Sequence, residues 1–175
     1  MKFTQLLFLK KSITKLALLF FAWNLVVPSA KAEMENFVES SAEYFTQTWL
    51  ETPGFEKITP PQIISLNPDS KILFGCRTGN NSKNIGGSAY CSLSNTIFLT
   101  NDQLKFFYEV NGKSGIAYLM AHEFAHAVQH AVLTELDNPA KELQADCIAG
   151  IFTSSMLNIS RSEMLSLARL SLHLG

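Results

Sequence analysis

His122 and His126, four residues apart, with Glu123 directly after the first, are the side chains of this sequence best able to do chemistry together. On a helix, residues four apart project from nearly the same face, so both imidazoles can reach one metal ion. Glu123 is offset by about 100° on a 3.6-residue turn, which puts its carboxylate beside such an ion and not on it. Zinc held this way lowers the pKa of a bound water towards ~7, and an adjacent carboxylate can take the proton and later deliver it to a leaving amine. Three fixed positions are a short motif, expected by chance in roughly one chain in two hundred of this composition. The surrounding residues therefore have to supply more.

A catalytic zinc has three protein ligands and one open position. The third ligand is expected from Glu142-Leu143-Gln144-Ala145-Asp146, where Glu142 and Asp146 share one face of the next helix. With Glu142 on the metal, Asp146 can accept the hydrogen bond from the outer ring nitrogen of a ligating histidine and fix its tautomer. The swapped assignment, Asp146 on the metal and Glu142 outside, satisfies the same spacing. Taken alone the pair would suit a solvated helix face. The apolar neighbours Ala145, Ile148, Ala149, Ile151 and Phe152 argue for a largely buried helix, in which a carboxylate needs a charge or a metal beside it.

The segment from Ala121 to Gln129, AHEFAHAVQ, resembles the motif helix of the bacterial neutral zinc metallopeptidase family, within the gluzincin group typified by thermolysin-like enzymes. The segment from Glu142 to Gly150, ELQADCIAG, is similar to that family's second signature. The likeness extends to Gly75-Cys76, Tyr90-Cys91 and the strand Thr96 to Leu99, and so covers roughly residues 74–172. It implies a zincin-like metallopeptidase domain, with His122, His126 and Glu142 as zinc ligands, Glu123 as general base and Asp146 as the outer partner of a ligand. It also implies peptide or protein substrates, which the strand Thr96 to Leu99 would bind by edge addition. The family's chains continue into a further polar, histidine-containing segment, whereas this sequence ends at Gly175. His130 and His173 are the only other histidines that could steady an oxyanion, and neither stands in a recognised position for it. His130 reads as an exposed or capping residue near a helix end, and Tyr90, Tyr108 and Tyr118 as packing residues before oxyanion donors.

The elements that must position these groups are mostly helical. Phe37, Ser41, Tyr44, Phe45 and Trp49 recur near helical spacing from Glu33 to about Thr52, where Pro53-Gly54 ends the pattern. Thr59-Pro60-Pro61 opens an irregular connection, and Lys71 to Phe74 and Thr96 to Leu99 read as a hairpin-like pair of strands around a loop containing Asn80, Asn81, Gly86 and Gly87. Asn101 can cap a helix from Asp102 to about Val110, which Asn111-Gly112 interrupts before the motif helix, Ser114 to Leu133. Asp137-Asn138-Pro139 starts a helix to about Leu157, and Ser160 with Glu163 has capping-box spacing before a last helix, apolar enough to be buried. The expected fold class is mainly α with a small β element (α+β).

Lys2, Lys10, Lys11 and Lys15 precede the apolar run from Leu16 to Val27, and Ala30-Lys31-Ala32 carries small residues where a signal peptidase reads them. Residues 1–32 are thus expected to be a cleaved signal peptide and 33–175 one exported domain, periplasmic or secreted, without stable membrane association. The run is shorter than the ~20 residues of a comfortable span. Taking the leader's five lysines from 14 basic residues leaves nine against 15 acidic ones, a net of about −6, which argues against nucleic acid as a partner. In an oxidising compartment Cys76 and Cys91 are candidates for a disulfide, and Cys147 reads as a small buried hydrophobe. The alternative to a peptidase is a zinc-bound, catalytically silent binding or scaffold protein of the envelope. The presence of Glu123, which metal binding alone does not need, argues against it.

Overall fold

The structure, a computed structural model, describes residues 29–66 and 87–171. The chain falls into two units, Met1–Glu33 and Met34–Gly175, and the site lies in the second. The expected leader lies outside the described residues except for its end, as do the expected strand 71–74 and Cys76. Cys91 is disulfide-bonded, and Cys147 is free. Among the described residues no helix is long and apolar enough to cross a membrane.

In chain order the elements are α1 (Ala30–Glu51), β1 (Gln62–Leu66), β2 (Ala89–Cys91), β3 (Thr96–Thr100), α2 (Asn101–Ala131), α3 (Asn138–Met156) and α4 (Arg161–Leu170). They form a mainly helical α+β fold with one small mixed sheet of order β1-β3-β2. β3 pairs in parallel with β1, Ile97 opposite Ile63, and antiparallel with β2, Ile97 opposite Tyr90. Both edges of β3 are therefore occupied, and it cannot take up a substrate strand as expected. The hairpin is formed instead by β2 and β3. β1 was hidden in the sequence behind Pro60-Pro61, which read as the start of an irregular connection. Asn95 closes the hairpin turn with φ 47°, a conformation its short amide side chain tolerates. Its Nδ2 donates to the carbonyl of Thr59 at 3.0 Å, which ties the hairpin to the approach to β1.

α2 holds two helical stretches joined at Gly112, whose φ of 58° and ψ of −140° break the helix where Asn111-Gly112 predicted an interruption. The helix starts one residue earlier than expected: Thr100 is the N-cap, without a side-chain cap bond, and Asn101 is the first helical residue. α3 and α4 begin as the sequence indicates. Asp137 accepts from the amide of Ala140, and Ser160 with Glu163 makes a reciprocal capping box.

The core forms where α1, α2 and the sheet meet. Phe45 and Trp49 of α1 pack on Phe124, with ring centroids 4.8 and 5.7 Å apart, and Phe152 of α3 lies 5.4 Å from the same ring. Phe124 sits between His122 and His126 in sequence, about 180° from their mean direction around the helix. The aromatic core thus grips the back of the motif helix and turns the histidines away from it. α3 meets α2 through Ala145, Ala149 and Thr153, buried small residues four apart that allow close approach. The opposite face of α3 is open to solvent, which corrects two expectations: Ile151 is 63% exposed, and Cys147 is exposed and not a buried hydrophobe. α4 is likewise two-faced, with Leu167 and Leu170 buried but Leu165 exposed.

The kink at Gly112 folds the second stretch of α2 back against the first, so closely that a Cβ at Gly115 would overlap the backbone carbonyl of Phe107. Gly115→Ala is expected to destabilise the fold by about 1–3 kcal/mol, lowering the melting temperature by several degrees. Thermal denaturation followed by circular dichroism checks this, and an unchanged midpoint would contradict the close approach.

Candidate metal centre

Three side-chain atoms from two helices converge. His122 Nε2 and His126 Nε2 of α2 are 3.2 Å apart, and Glu142 Oε2 of α3 lies 3.2 Å from the first and 3.5 Å from the second. The three residues are close enough to hold one metal ion. His122 is buried, while His126 and Glu142 are half-buried at the edge of a cavity of about 770 Å³ that is also lined by Ser88, Tyr90 and Glu123.

Each histidine is held from behind. His122 Nδ1 lies 3.0 Å from Asp146 Oδ1. A carboxylate only accepts, so Nδ1 carries the proton and Nε2 keeps its lone pair. Burial, and next the neighbouring His126, hold His122 below the ordinary imidazole range, which favours the neutral ring. Tyr118 donates its hydroxyl to the same Asp146 Oδ1 at 3.0 Å, and burial followed by the adjacent carboxylate pushes its phenol well up, keeping it a donor. Of the two assignments the spacing left open, the geometry brings Glu142 into the converging group and sets Asp146 behind His122. His126 Nδ1 lies 2.9 Å from Gln129 Oε1, a partner that the sequence reading missed although it stands one turn on, at a spacing that faces His126.

Glu123 is buried beside the histidines, its Oε2 accepting from the backbone amide of Tyr90 in β2 at 2.9 Å. The sheet thus reaches the site through main chain, which no residue type could have announced. Burial pushes the Glu123 carboxyl up to about 8, against the pull of the Tyr90 amide and with a smaller push from Glu142. The tyrosines considered as oxyanion donors are otherwise engaged. Tyr90 donates its hydroxyl to Asn95 at 3.0 Å and Tyr118 to Asp146, while Tyr108 packs against the core. His130 is exposed, as expected, but lines the same cavity, its ring 6.0 Å from that of Tyr90. His173 lies outside the described residues.

A carboxyl whose folded pKa lies above its unfolded value favours the fold while protonated. That stability is present below pH ~4.5 and is lost as pH rises towards 8. In protein stripped of metal, Glu123→Gln should therefore gain stability over the parent progressively between about pH 5 and 8. Paired denaturant titrations across that range check this, and a gap that does not change with pH would contradict it.

Compared with protein-family models, curated proteins and solved structures, the chain matches none of them.

Proposed function

We propose that the protein is an exported zinc peptidase, in which His122, His126 and Glu142 hold the metal and Glu123 is the general base. The observation that carries this reading is the spacing of the three donor atoms. In a tetrahedron with bonds of about 2.0–2.1 Å, two ligands sit about 3.3–3.4 Å apart, and the three separations here are 3.2, 3.2 and 3.5 Å. Two imidazole nitrogens and one carboxylate oxygen are a donor set suited to catalytic zinc, whereas calcium and magnesium ask for six or more oxygens.

Zinc, when bound, polarises a carbonyl and brings the pKa of a water it holds towards ~7. The remaining tasks fall to the chain. The Tyr90 amide holds Glu123 Oε2, leaving Oε1 to take a proton from water and return it to the departing amine. A carboxylate drawn towards neutral pH by burial is suited to both transfers. Asp146 keeps His122 in the ligating tautomer. A cavity of about 770 Å³, open on one side, has room for a few residues of a peptide across these groups. The resemblance of the two helix segments to the neutral zinc metallopeptidases supports the same reading, as does the leader-like amino terminus.

The purified protein is expected to hold about one zinc per chain and to hydrolyse members of a peptide library in a chelator-sensitive way. His122→Ala should lose the metal. Glu123→Gln should keep it while hydrolysis falls by roughly 10²–10⁴-fold. Zinc content unaffected by His122→Ala would overturn the metal assignment, and zinc without any hydrolysis would favour the silent binding protein.

A further inference from the structure

Gln129 is buried among groups that engage both ends of its side-chain amide. Its Oε1 faces His126 Nδ1 at 2.9 Å, and its Nε2 donates to the backbone carbonyl of Lys141 at 2.8 Å and to Gln144 Oε1 at 3.0 Å. A side-chain amide can be turned either way round, and its neighbours decide which. The Lys141 carbonyl can only accept, so it must meet the NH₂ end. The oxygen end is then fixed towards His126, whose Nδ1 must donate, and the lone pair is left on Nε2 beside His122 and Glu142. The same carbonyl belongs to the peptide unit between Lys141 and Glu142. One amide thus spans from the ring of one converging residue to the main chain of another, across the α2–α3 junction.

We propose that Gln129 is a positioning residue through which the docking of α3 sets the tautomer of His126, so that His126 becomes competent to bind metal only when Glu142 is brought into place. The two converging faces are then completed in one event. Asp146, itself on α3, accepts from His122 directly once that helix lies against α2. Gln129, on α2, meets His126 directly, in an orientation that its bonds to the Lys141 carbonyl and to Gln144 of α3 fix. The claim rests on the reading of the site as a metal centre, and its tautomer part does not need the metal.

The test is long-range ¹H–¹⁵N imidazole spectroscopy of the metal-free protein together with competition titrations of zinc. In the parent, His126 should be protonated at Nδ1. Gln129→Leu should shift it towards the Nε2-protonated form and weaken zinc binding by about 10- to 100-fold. Gln129→Glu restores an acceptor to His126 but not the donors to α3. It should recover the Nδ1-protonated ring and most of the affinity, which a merely structural role for the amide would not give. A parent with His126 protonated at Nε2 would overturn the proposal even if the leucine variant failed to fold. So would a folded leucine variant with an unchanged His126 spectrum and zinc affinity within about twofold of the parent. If no form took up zinc, the metal reading would fall, while the parent's tautomer would still decide the role of Gln129.

Discussion

Lone pairs aimed at one point repel one another unless a cation lies among them, and this constraint organises the junction of α2 and α3. His122 and His126 carry their protons on the outer nitrogens, against Asp146 and Gln129, so that both inner nitrogens and Glu142 Oε2 meet as acceptors within 3.5 Å. Such an arrangement is unfavourable as bare protein. It is suited to a positive ion, and the surrounding packing is what holds it in place.

Two features supply that packing, one on each helix. Phe124 drives the back of the motif helix into the Phe45, Trp49 and Phe152 aromatic core. The small residues Ala145, Ala149 and Thr153 let α3 lie close enough for Glu142 and Asp146 to reach across. The sheet adds a main-chain donor, the amide of Tyr90, which takes one oxygen of Glu123 and orients the other. Burial of Glu123 is destabilising once it ionises in the metal-free protein. The same burial suits the proposed role of Glu123, which asks it to accept and release a proton near neutral pH.

The site was legible in the sequence wherever chemistry and spacing coincide. Histidines four apart, a glutamate beside them and an acid pair four apart on the next helix have few other ways to be arranged, and helical periodicity marked α2, α3 and α4. Other parts depend on tertiary placement. Gln129 looks like any polar residue near a helix end until the Lys141 carbonyl is set against it. Tyr118 is a packing aromatic until its hydroxyl meets Asp146. Which face of α3 is buried could not be read from hydrophobicity, because the buried stripe is made of small residues and the large Leu143 and Ile151 point outward. β1 was missed because its pairing is parallel and non-local.

The proposed centre is a single ion shared by His122 Nε2, His126 Nε2 and Glu142 Oε2. Crystals of the zinc-loaded protein, measured on both sides of the zinc absorption edge, test this most directly. The expected result is one anomalous peak within about 2.0–2.2 Å of all three atoms, with Asp146 outside the coordination sphere. A peak bound to Asp146 in place of Glu142, or one lying away from the two histidines, would contradict it.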